Sequence, residues 1–449
     1  MTGLTRRTAV KAVGGLVGLG TASSAVGSVN DDTNRSTETD PSRRTRGSPF
    51  LGAWTASPQA PLSDGISATG FEDQTLRQMV RPSVGGRGVR LKLTNAFGDE
   101  SITFDRASVG RRVSGSGASV EPGTLRQVTF GDDPDVTIPP GARVMSDPVE
   151  LRVGAGQDLV VSLYTETATG PTTWHQLPTK TSYVSSAGDR TADPSGDAFP
   201  SSVTHWFFLG GIEVLAPEHT GAIACFGDSI TDGHGSTLDA NAAYPDFLAE
   251  RVTERQGLRK SVVNAGISGN RVLSDSDVFG PNALARFDRD VLTQTGVTDV
   301  VLLEGINDIG FERFDDPKYR PATSVTADDI IAGYEQLIRR AHARGVRIIG
   351  GTLTPFEGAV YYYEAGERKR QAINEFIRTS GAFDGVVDFD KAVRDPDDPK
   401  CLRPEYDSGD TIHPNDAGYR AMADAVDLSL FRGHRSSKPT DGESTATFA

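Results

Sequence analysis

The sequence predicts an α/β chain in which a β-sandwich at residues 49–215 precedes a parallel-sheet domain at residues 216–432. The first region consists of short apolar runs punctuated by Gly and Pro, without a long helical pattern. From about residue 220 onward, strand-like apolar runs alternate with segments of helical periodicity, as in successive βαβ units. We therefore expect a jelly-roll-like sandwich followed by a parallel sheet.

The N-terminal segment, residues 1–28, is predicted to be an export signal. Arg6 and Arg7 precede a short, Gly-rich apolar stretch, and small residues follow, an order typical of twin-arginine signal peptides. An ordinary secretory signal is the alternative. The apolar stretch is too short and too rich in Gly for a good membrane span. We expect a secreted protein without a stable membrane anchor.

Two segments have a polar composition that does not favour a packed core. Residues 29–48 consist largely of Asp, Thr, Ser, Arg and Asn, and residues 433–449 are also mostly polar. Such segments bury too little apolar surface to offset the entropy lost on ordering. We expect a disordered linker and a disordered tail.

Within the predicted sandwich, residues 89–93 alternate apolar and polar side chains, as a half-buried strand does. Residues 159–164 form a second strand-like run. The region also contains the three tryptophans of the chain, Trp54, Trp174 and Trp206. Large aromatic side chains can fill a core, and they can also stack on sugar rings, so both roles remain open here.

The parallel-sheet domain is predicted to contain five strands and a well-defined helix. The apolar residues between positions 330 and 341 share one helical face, with a capping pair at Thr326 and Asp329 and a stop at Gly345. The strands are expected near residues 222–226, 261–265, 299–304, 346–352 and 385–389.

Two short motifs supply the parts of an activated serine nucleophile. Residues 227–232 read GDSITD directly after an apolar run, and residues 410–414 read DTIHP. A Ser at the end of a buried strand projects from the carboxyl edge of the sheet, where open α/β folds place their chemistry. Because Asp410 and His413 are three residues apart, one loop can carry both, and the acid can orient the imidazole that serves Ser229.

Two more motifs lie between these segments, again at the ends of apolar runs. The segment NAGISGN occupies residues 264–270, and EGIND occupies residues 304–308. An acyl-transfer enzyme needs hydrogen-bond donors aimed at the developing oxyanion. The backbone N–H groups of Ser229 and Gly266 and the side-chain amide of Asn307 are candidates for these donors.

With four ordered motifs, residues 220–432 resemble the SGNH (GDSL-type) hydrolase superfamily. The resemblance implies a flavodoxin-like five-stranded parallel sheet and a serine esterase that needs no cofactor. Its four blocks carry Ser, Gly, Asn and His, which correspond here to Ser229, Gly266, Asn307 and His413, with Asp410 as the acid.

Three further segments, residues 285–290, 352–358 and 395–396, resemble a subgroup of arylesterases and acylhydrolases linked to xylan breakdown. This resemblance implies short-chain, chiefly acetyl, O-esters as substrates, carried by small molecules or carbohydrates. A lipase acting on long acyl chains is one alternative. A carbohydrate-binding surface protein with a silent hydrolase domain is another.

Some residues near the motifs allow a structural interpretation as well. A Ser at a strand end is often only a helix cap, but the four ordered motifs argue against that for Ser229. His234 could line the pocket or lie on an exposed loop. Asp228 is interpreted as structural support for the nucleophile rather than as a catalytic carboxylate.

The composition limits the possible partners and compartments. The net charge is −14, and nine Lys accompany 37 Arg. An acidic surface argues against nucleic-acid binding, and it suits either high salt or an ordinary secreted protein from a GC-rich genome. Cys225 and Cys401 are the two cysteines, which could remain free or pair after export. No His or Cys spacing indicates a metal site.

Overall fold

The computed structural model describes residues 50–115 and 117–432. The predicted signal peptide, linker and tail lie outside the described residues. Among those residues, no helix has both the length and the apolar character needed to cross a membrane.

The first part of the described chain is built from antiparallel strands. Four strands form one sheet in the order β1-β14-β3-β8, and six form another in the order β12-β11-β2-β9-β5-β6. The strands are β1 Phe50–Thr55, β2 Gln74–Val80, β3 Val89–Thr94, β4 Ile102–Phe104, β5 Arg106–Arg111, β6 Arg126–Val128, β7 Val136–Ile138, β8 Arg143–Met145, β9 Leu159–Thr165, β10 Trp174–His175, β11 Ser182–Val184, β12 Ser201–Val203, β13 Trp206–Phe207 and β14 Leu209–Leu215, with one short helix, α1 Gly65–Thr69.

An apolar core lies between these two sheets. Leu91 and Val214 enter it from the four-stranded sheet, and Leu76 and Val161 enter it from the six-stranded sheet. Residues of alternating polarity along a strand place their apolar side chains on one face, so each sheet buries that face against the other. The expected sandwich is confirmed, with unequal sheets of four and six strands.

The second part alternates strands and helices. Its five strands are all parallel and have the order β16-β15-β17-β18-β19. The strands are β15 Gly221–Gly227, β16 Lys260–Gly266, β17 Val297–Leu303, β18 Arg347–Gly351 and β19 Gly385–Val387, and the helices are α2 Ser229–Asp232, α3 Tyr244–Glu254, α4 Ala283–Phe287, α5 Ile306–Gly310, α6 Ala327–Ala343, α7 Glu364–Thr379, α8 Phe389–Val393 and α9 Asp416–Ala425.

This strand order is that of a flavodoxin-like sheet, which confirms the predicted fold class. The five predicted strands agree with the observed ones to within two residues at each end. Helix α6 begins at the predicted cap, where the Thr326 hydroxyl accepts the N–H of Asp329 and the Asp329 carboxylate accepts the N–H of Thr326. Local sequence patterns therefore determine these elements.

The sandwich covers the exposed edge of the parallel sheet. Strand β16 is an edge strand, and the N–H of Val262 donates to the Ser83 hydroxyl at 3.0 Å. The Ser261 hydroxyl donates to the carbonyl of Gly52, whose own N–H donates to the carbonyl of Thr295 at 2.9 Å. An uncovered edge would offer unpaired backbone groups to other chains. The two parts therefore pack directly on one another.

The structure also bears on two open points from the sequence. The side chains of Trp174 and Trp206 are buried, and their indole N–H groups donate to the carbonyls of Ala60 and Met79. Trp174 packs in the core of the sandwich, whereas Trp206 lines a cavity beside α3. Cys225 and Cys401 are both free thiols.

Candidate active site

The predicted nucleophile begins a helix at the carboxyl end of a central strand. Strand β15 ends at Gly227, and Ser229 is the first residue of α2. The Asp228 carboxylate accepts the N–H of Ile230 at 3.0 Å and caps this helix, in agreement with its predicted structural role. The backbone N–H of Ser229 lies in the first turn and has no partner among the described residues. It is therefore available to a ligand.

Ser229, His413 and Asp410 form one continuous chain of hydrogen bonds. Nε2 of His413 lies 2.8 Å from Oγ of Ser229, and Nδ1 lies 2.5 Å from a carboxylate oxygen of Asp410. A carboxylate only accepts, so Nδ1 carries the proton and Nε2 is left to accept from the serine hydroxyl. Three residues from two distant segments thus meet in the order that general-base activation of a serine requires.

The turn that carries the acid is rigidly hydrogen-bonded. Besides the imidazole, Asp410 accepts the backbone N–H groups of Ile412 and His413 at 3.1 and 2.8 Å. Partial burial opposes ionisation, but the hydrogen bonds from the imidazole and the two backbone N–H groups outweigh it and hold the pKa of Asp410 well below its usual range. Thr411 between them has φ of 65°, an uncommon conformation for a β-branched residue. The carboxylate therefore stays ionised and fixed in orientation.

Gly266 does not offer the free N–H that the sequence suggested. Its N–H donates to the side chain of Asn264 at 2.9 Å. A Cβ at this position would lie 2.4 Å from the backbone N of Asp232, so Gly266 is needed for the close packing of α2 on β16. The assignment of Gly266 as an oxyanion donor is therefore not supported by its hydrogen bonding.

Gly269, three residues further along the same motif, fits this role better. It has φ of 77°, and its N–H has no partner among the described residues. Its neighbour Asn270 accepts the side-chain amide of Asn307 at 3.0 Å, which brings the Asn307 amide beside this turn. The amide nitrogen has two N–H groups, so a second remains available. The signal in the sequence was the second Gly of NAGISGN.

A fully buried arginine holds the strand ends beneath the site. The Arg286 guanidinium donates to the carbonyls of Gly227 and Ala265, both at 2.7 Å, and to Glu304 at 3.3 Å. Its Nε donates to the side chain of Asn270 at 2.7 Å. These partners lie at the ends of β15, β16 and β17, so one planar cation fixes all three. In the sequence, residues 285–290 contributed only to the family resemblance, and no role was predicted for Arg286.

Two buried carboxyl groups lie directly below the nucleophile, and each has one oxygen without a partner in the described structure. These are Oδ2 of Asp228 and Oε1 of Glu304. Burial, reinforced by the charge of Asp308, raises the pKa of Asp228 to about 7 against the lowering effect of its bond to Ile230. Burial and the charge of Asp228 raise the pKa of Glu304 well above its usual range.

His234 lies against the site histidine. Its ring is 4.4 Å from that of His413, centroid to centroid, at an angle of 66°. The donor atoms of His234, Asp410 and His413 are all within 4.8 Å of one another, a spacing that could hold a cation. Both ring nitrogens of His413 are already engaged, so a cation would have to displace Ser229 or Asp410. The sequence left open whether His234 lies at the site or on an exposed loop, and the structure places its ring beside that of His413.

A cavity of about 240 Å³ lies between the sandwich and α3. Asp232, His175 and Trp206 are among the residues that line it, but Ser229 and His413 do not. This cavity is therefore separate from the reacting groups.

The fold is a flavodoxin-like α/β domain, and the ordered motifs bring a serine, a histidine and an acid together beside its sheet. Residues 225–421 match the family model described as the GDSL-like Lipase/Acylhydrolase family. This part of the chain is similar to that family, which indicates an ester hydrolase. No curated protein matches the chain.

Solved structures of similar domains include a GDSL-like lipase from Bacteroides thetaiotaomicron, 19% identical, with 47% of this chain and 88% of that one covered and a TM-score of 0.35. An α/β hydrolase from the metagenome of Lake Arreo is 24% identical over 47% and 95%, with a TM-score of 0.36. A variant of an acetyl xylan esterase from Geobacillus stearothermophilus is 22% identical over 47% and 95%, with a TM-score of 0.36. In each case the matched region covers less than half of this chain.

We predict that Asp228→Asn makes thermal stability less dependent on pH. The folded-state pKa of about 7 exceeds the unfolded value of about 4, so the protonated form contributes stability below about pH 4 that is lost as pH rises through 7. Asn keeps a cap oxygen for Ile230 and cannot ionise. The drop in Tm between pH 5 and pH 8 should therefore be smaller in the variant, as measured by calorimetry. Equal drops in both proteins would contradict this assignment.

Proposed function

We propose that the chain is an exported serine esterase that cleaves short-chain O-esters, chiefly acetyl esters, through an acyl-enzyme on Ser229. The observation that carries the proposal is the continuous chain of hydrogen bonds from Ser229 through His413 to Asp410. The export step rests on the arginine pair near the N-terminus, outside the described residues.

In the proposed reaction, His413 accepts the proton of Ser229 as the serine oxygen attacks the ester carbonyl. Asp410 stabilises the imidazolium that forms. The N–H groups of Ser229 and Gly269 and the amide of Asn307 bind the oxyanion. The imidazolium then gives its proton to the leaving alkoxide, and water, activated by the same imidazole, cleaves the acyl-enzyme.

The proposed preference for short acyl groups rests on the resemblance to xylan-linked acylhydrolases and on aromatic packing beside Asn307. The Tyr361 ring lies over Gly310, and its hydroxyl is 3.4 Å from the side-chain oxygen of Asn307. Phe311 packs against Tyr361 at a centroid distance of 5.8 Å. Large rings at this position leave less room for a long acyl chain.

The first test replaces the nucleophile and the base. Ser229→Ala and His413→Ala should each lower kcat by several orders of magnitude with little change in Tm, and the double variant should be little worse because the residues act as a unit. His342→Ala is the matched control. His342 lies near the end of α6 and pairs at 2.8 Å with Asp384, the residue before β19, so both are at the amino ends of the strands, away from Ser229. Near-normal turnover of a chromogenic acetate ester by Ser229→Ala would refute the assignment.

The second test concerns the oxyanion. Asn307→Ala should lower kcat by roughly 10²- to 10³-fold with a smaller change in KM, because the donor acts mainly on the transition state. Steady-state kinetics on a soluble acetate ester separates the two constants. A change confined to KM would make Asn307 a substrate-binding residue instead.

The third test compares substrates. With acetyl, butyryl and octanoyl esters of one alcohol, kcat/KM should fall as the chain lengthens, and acetylated xylan should release acetate. Faster turnover of octanoyl than acetyl esters would favour the lipase alternative. Binding of the inactive Ser229→Ala chain to unacetylated xylan, without measurable hydrolysis by the wild type, would favour the carbohydrate-binding alternative.

A further inference from the structure

A buried histidine of the sandwich contacts the helix that begins with the nucleophile. His175 lies in β10 and is 3% exposed. Its Nδ1 is 2.9 Å from the carbonyl oxygen of Ser57, and its Nε2 is 3.0 Å from Oδ1 of Asp232. Asp232 is the last residue of α2, three positions after Ser229. Among the contacts between the two parts of the described chain, this side-chain pair lies at the end of the helix that begins with the nucleophile.

Counting donors and acceptors shows that this pair holds an extra proton. The Ser57 carbonyl can only accept, so Nδ1 carries a hydrogen. The other oxygen of Asp232, Oδ2, already accepts two hydrogen bonds from Ser268, through its N–H at 2.9 Å and its hydroxyl at 2.8 Å. A neutral ring facing an ionised carboxylate would point an unprotonated Nε2 at Oδ1, with no hydrogen between them. The geometry requires a proton there, carried either by Nε2, as an imidazolium–carboxylate pair, or by Oδ1, as a neutral imidazole–carboxylic acid pair.

The surroundings favour the charged pair. Burial alone would lower the pKa of His175, but the charge of Asp232 and the hydrogen bonds from the ring leave it raised, against repulsion from Arg286. The Trp206 ring faces the imidazole at 5.6 Å, a distance at which an aromatic face attracts a cation. His205 is the other titratable group nearby, and burial lowers its pKa.

The pair also reaches the second part of the site. Ser268, which donates twice to Asp232, immediately precedes Gly269. One carboxylate therefore ties together the helix of the nucleophile, the turn with the proposed oxyanion donor, and the sandwich. Removing the imidazolium would leave a buried carboxylate with an unpaired oxygen, and the carboxylate could then shift or take up a proton.

We propose that His175 is a positioning residue for the esterase reaction, holding Asp232 so that Ser229 and the turn at Gly269 keep their relative placement. The inference rests on the proposed function above. It assigns the sandwich a part in turnover, beyond covering the edge of the sheet.

The test measures turnover per active site in His175→Ala and His175→Gln. Active sites are counted from the burst of chromogenic alcohol, so unfolded protein does not enter the rate. His175→Ala should lower kcat by roughly 10- to 10²-fold with a smaller change in KM, as expected for a displaced catalytic geometry. His175→Gln keeps a donor for Asp232 and should recover part of the loss.

A pH profile separates positioning from a merely structural role. Because the pair must hold its proton, the kcat of the wild type should decline at alkaline pH as that proton is lost. This decline should be absent in His175→Gln and in Asp232→Asn, which keeps the acceptor for Ser268 but no negative charge. Their double variant should be no slower than the slower single one.

His205→Gln is the matched control, since His205 also lies in the sandwich, and its Nδ1 contacts the carbonyl of Gln176. It should turn over within about twofold of the wild type. Should His175→Ala fail to fold, the Gln variant and Asp232→Asn still decide the matter.

Values of kcat within twofold of the wild type in both Gln and Asn variants, or an alkaline decline retained in both, would overturn the proposal. That result would leave the esterase assignment standing as long as Ser229→Ala is inactive. Activity in Ser229→Ala would refute the esterase assignment itself.

Discussion

The ends of the three strands around the nucleophile are fixed by one buried cation, the guanidinium of Arg286. Strands of a parallel sheet end side by side, but their last residues leave backbone carbonyls without sheet partners. Arg286 donates to the carbonyl of the last residue of β15, to that of the penultimate residue of β16, and to the acid that follows β17. Ser229 comes two residues after one of these partners. A buried charge is stable only while its partners remain in place, so the strand ends are fixed relative to one another.

The same constraint extends to the sandwich. Arg286 lies 3.4 Å from the Ser57 hydroxyl, and the carbonyl of that residue accepts a hydrogen bond from His175. The segment after β1 is therefore held between Arg286 and the pair formed by His175 and Asp232. The sandwich and the hydrolase domain share buried polar groups, which makes them interdependent in a way that apolar contact alone would not.

The sequence was sufficient to predict the elements and the meeting of Ser229, His413 and Asp410. Apolar runs of four to seven residues determine buried parallel strands, and residues that follow such strands gather at one edge of the sheet. That geometry brings Ser229 to the loop of His413, 184 residues away. The capping pair of α6 is local and was equally predictable.

The remaining features depend on contacts that no local pattern records. Gly266 looked like a donor because it ends a strand, but the side chain of Asn264 two residues earlier takes its N–H. Whether the N–H of a given Gly is free for a ligand, or the Gly instead permits close packing, depends on which atoms contact it in the folded chain. Likewise, nothing in the local sequence distinguishes Arg286 from other helix residues or His175 from other strand residues. Their roles depend on partners that are distant in the chain, such as Asp232, 57 residues from His175, and Gly227, 59 residues from Arg286.

The central claim is that the hydroxyl oxygen of Ser229 is the nucleophile of the proposed triad. A fluorophosphonate probe reacts with an activated serine and leaves a stable adduct, which mass spectrometry locates after digestion. The account predicts one adduct per chain, on the peptide containing Ser229, lost in His413→Ala and slowed by a competing acetate ester. Labelling of a different residue, or hydrolysis that continues at full rate without any adduct on Ser229, would contradict it.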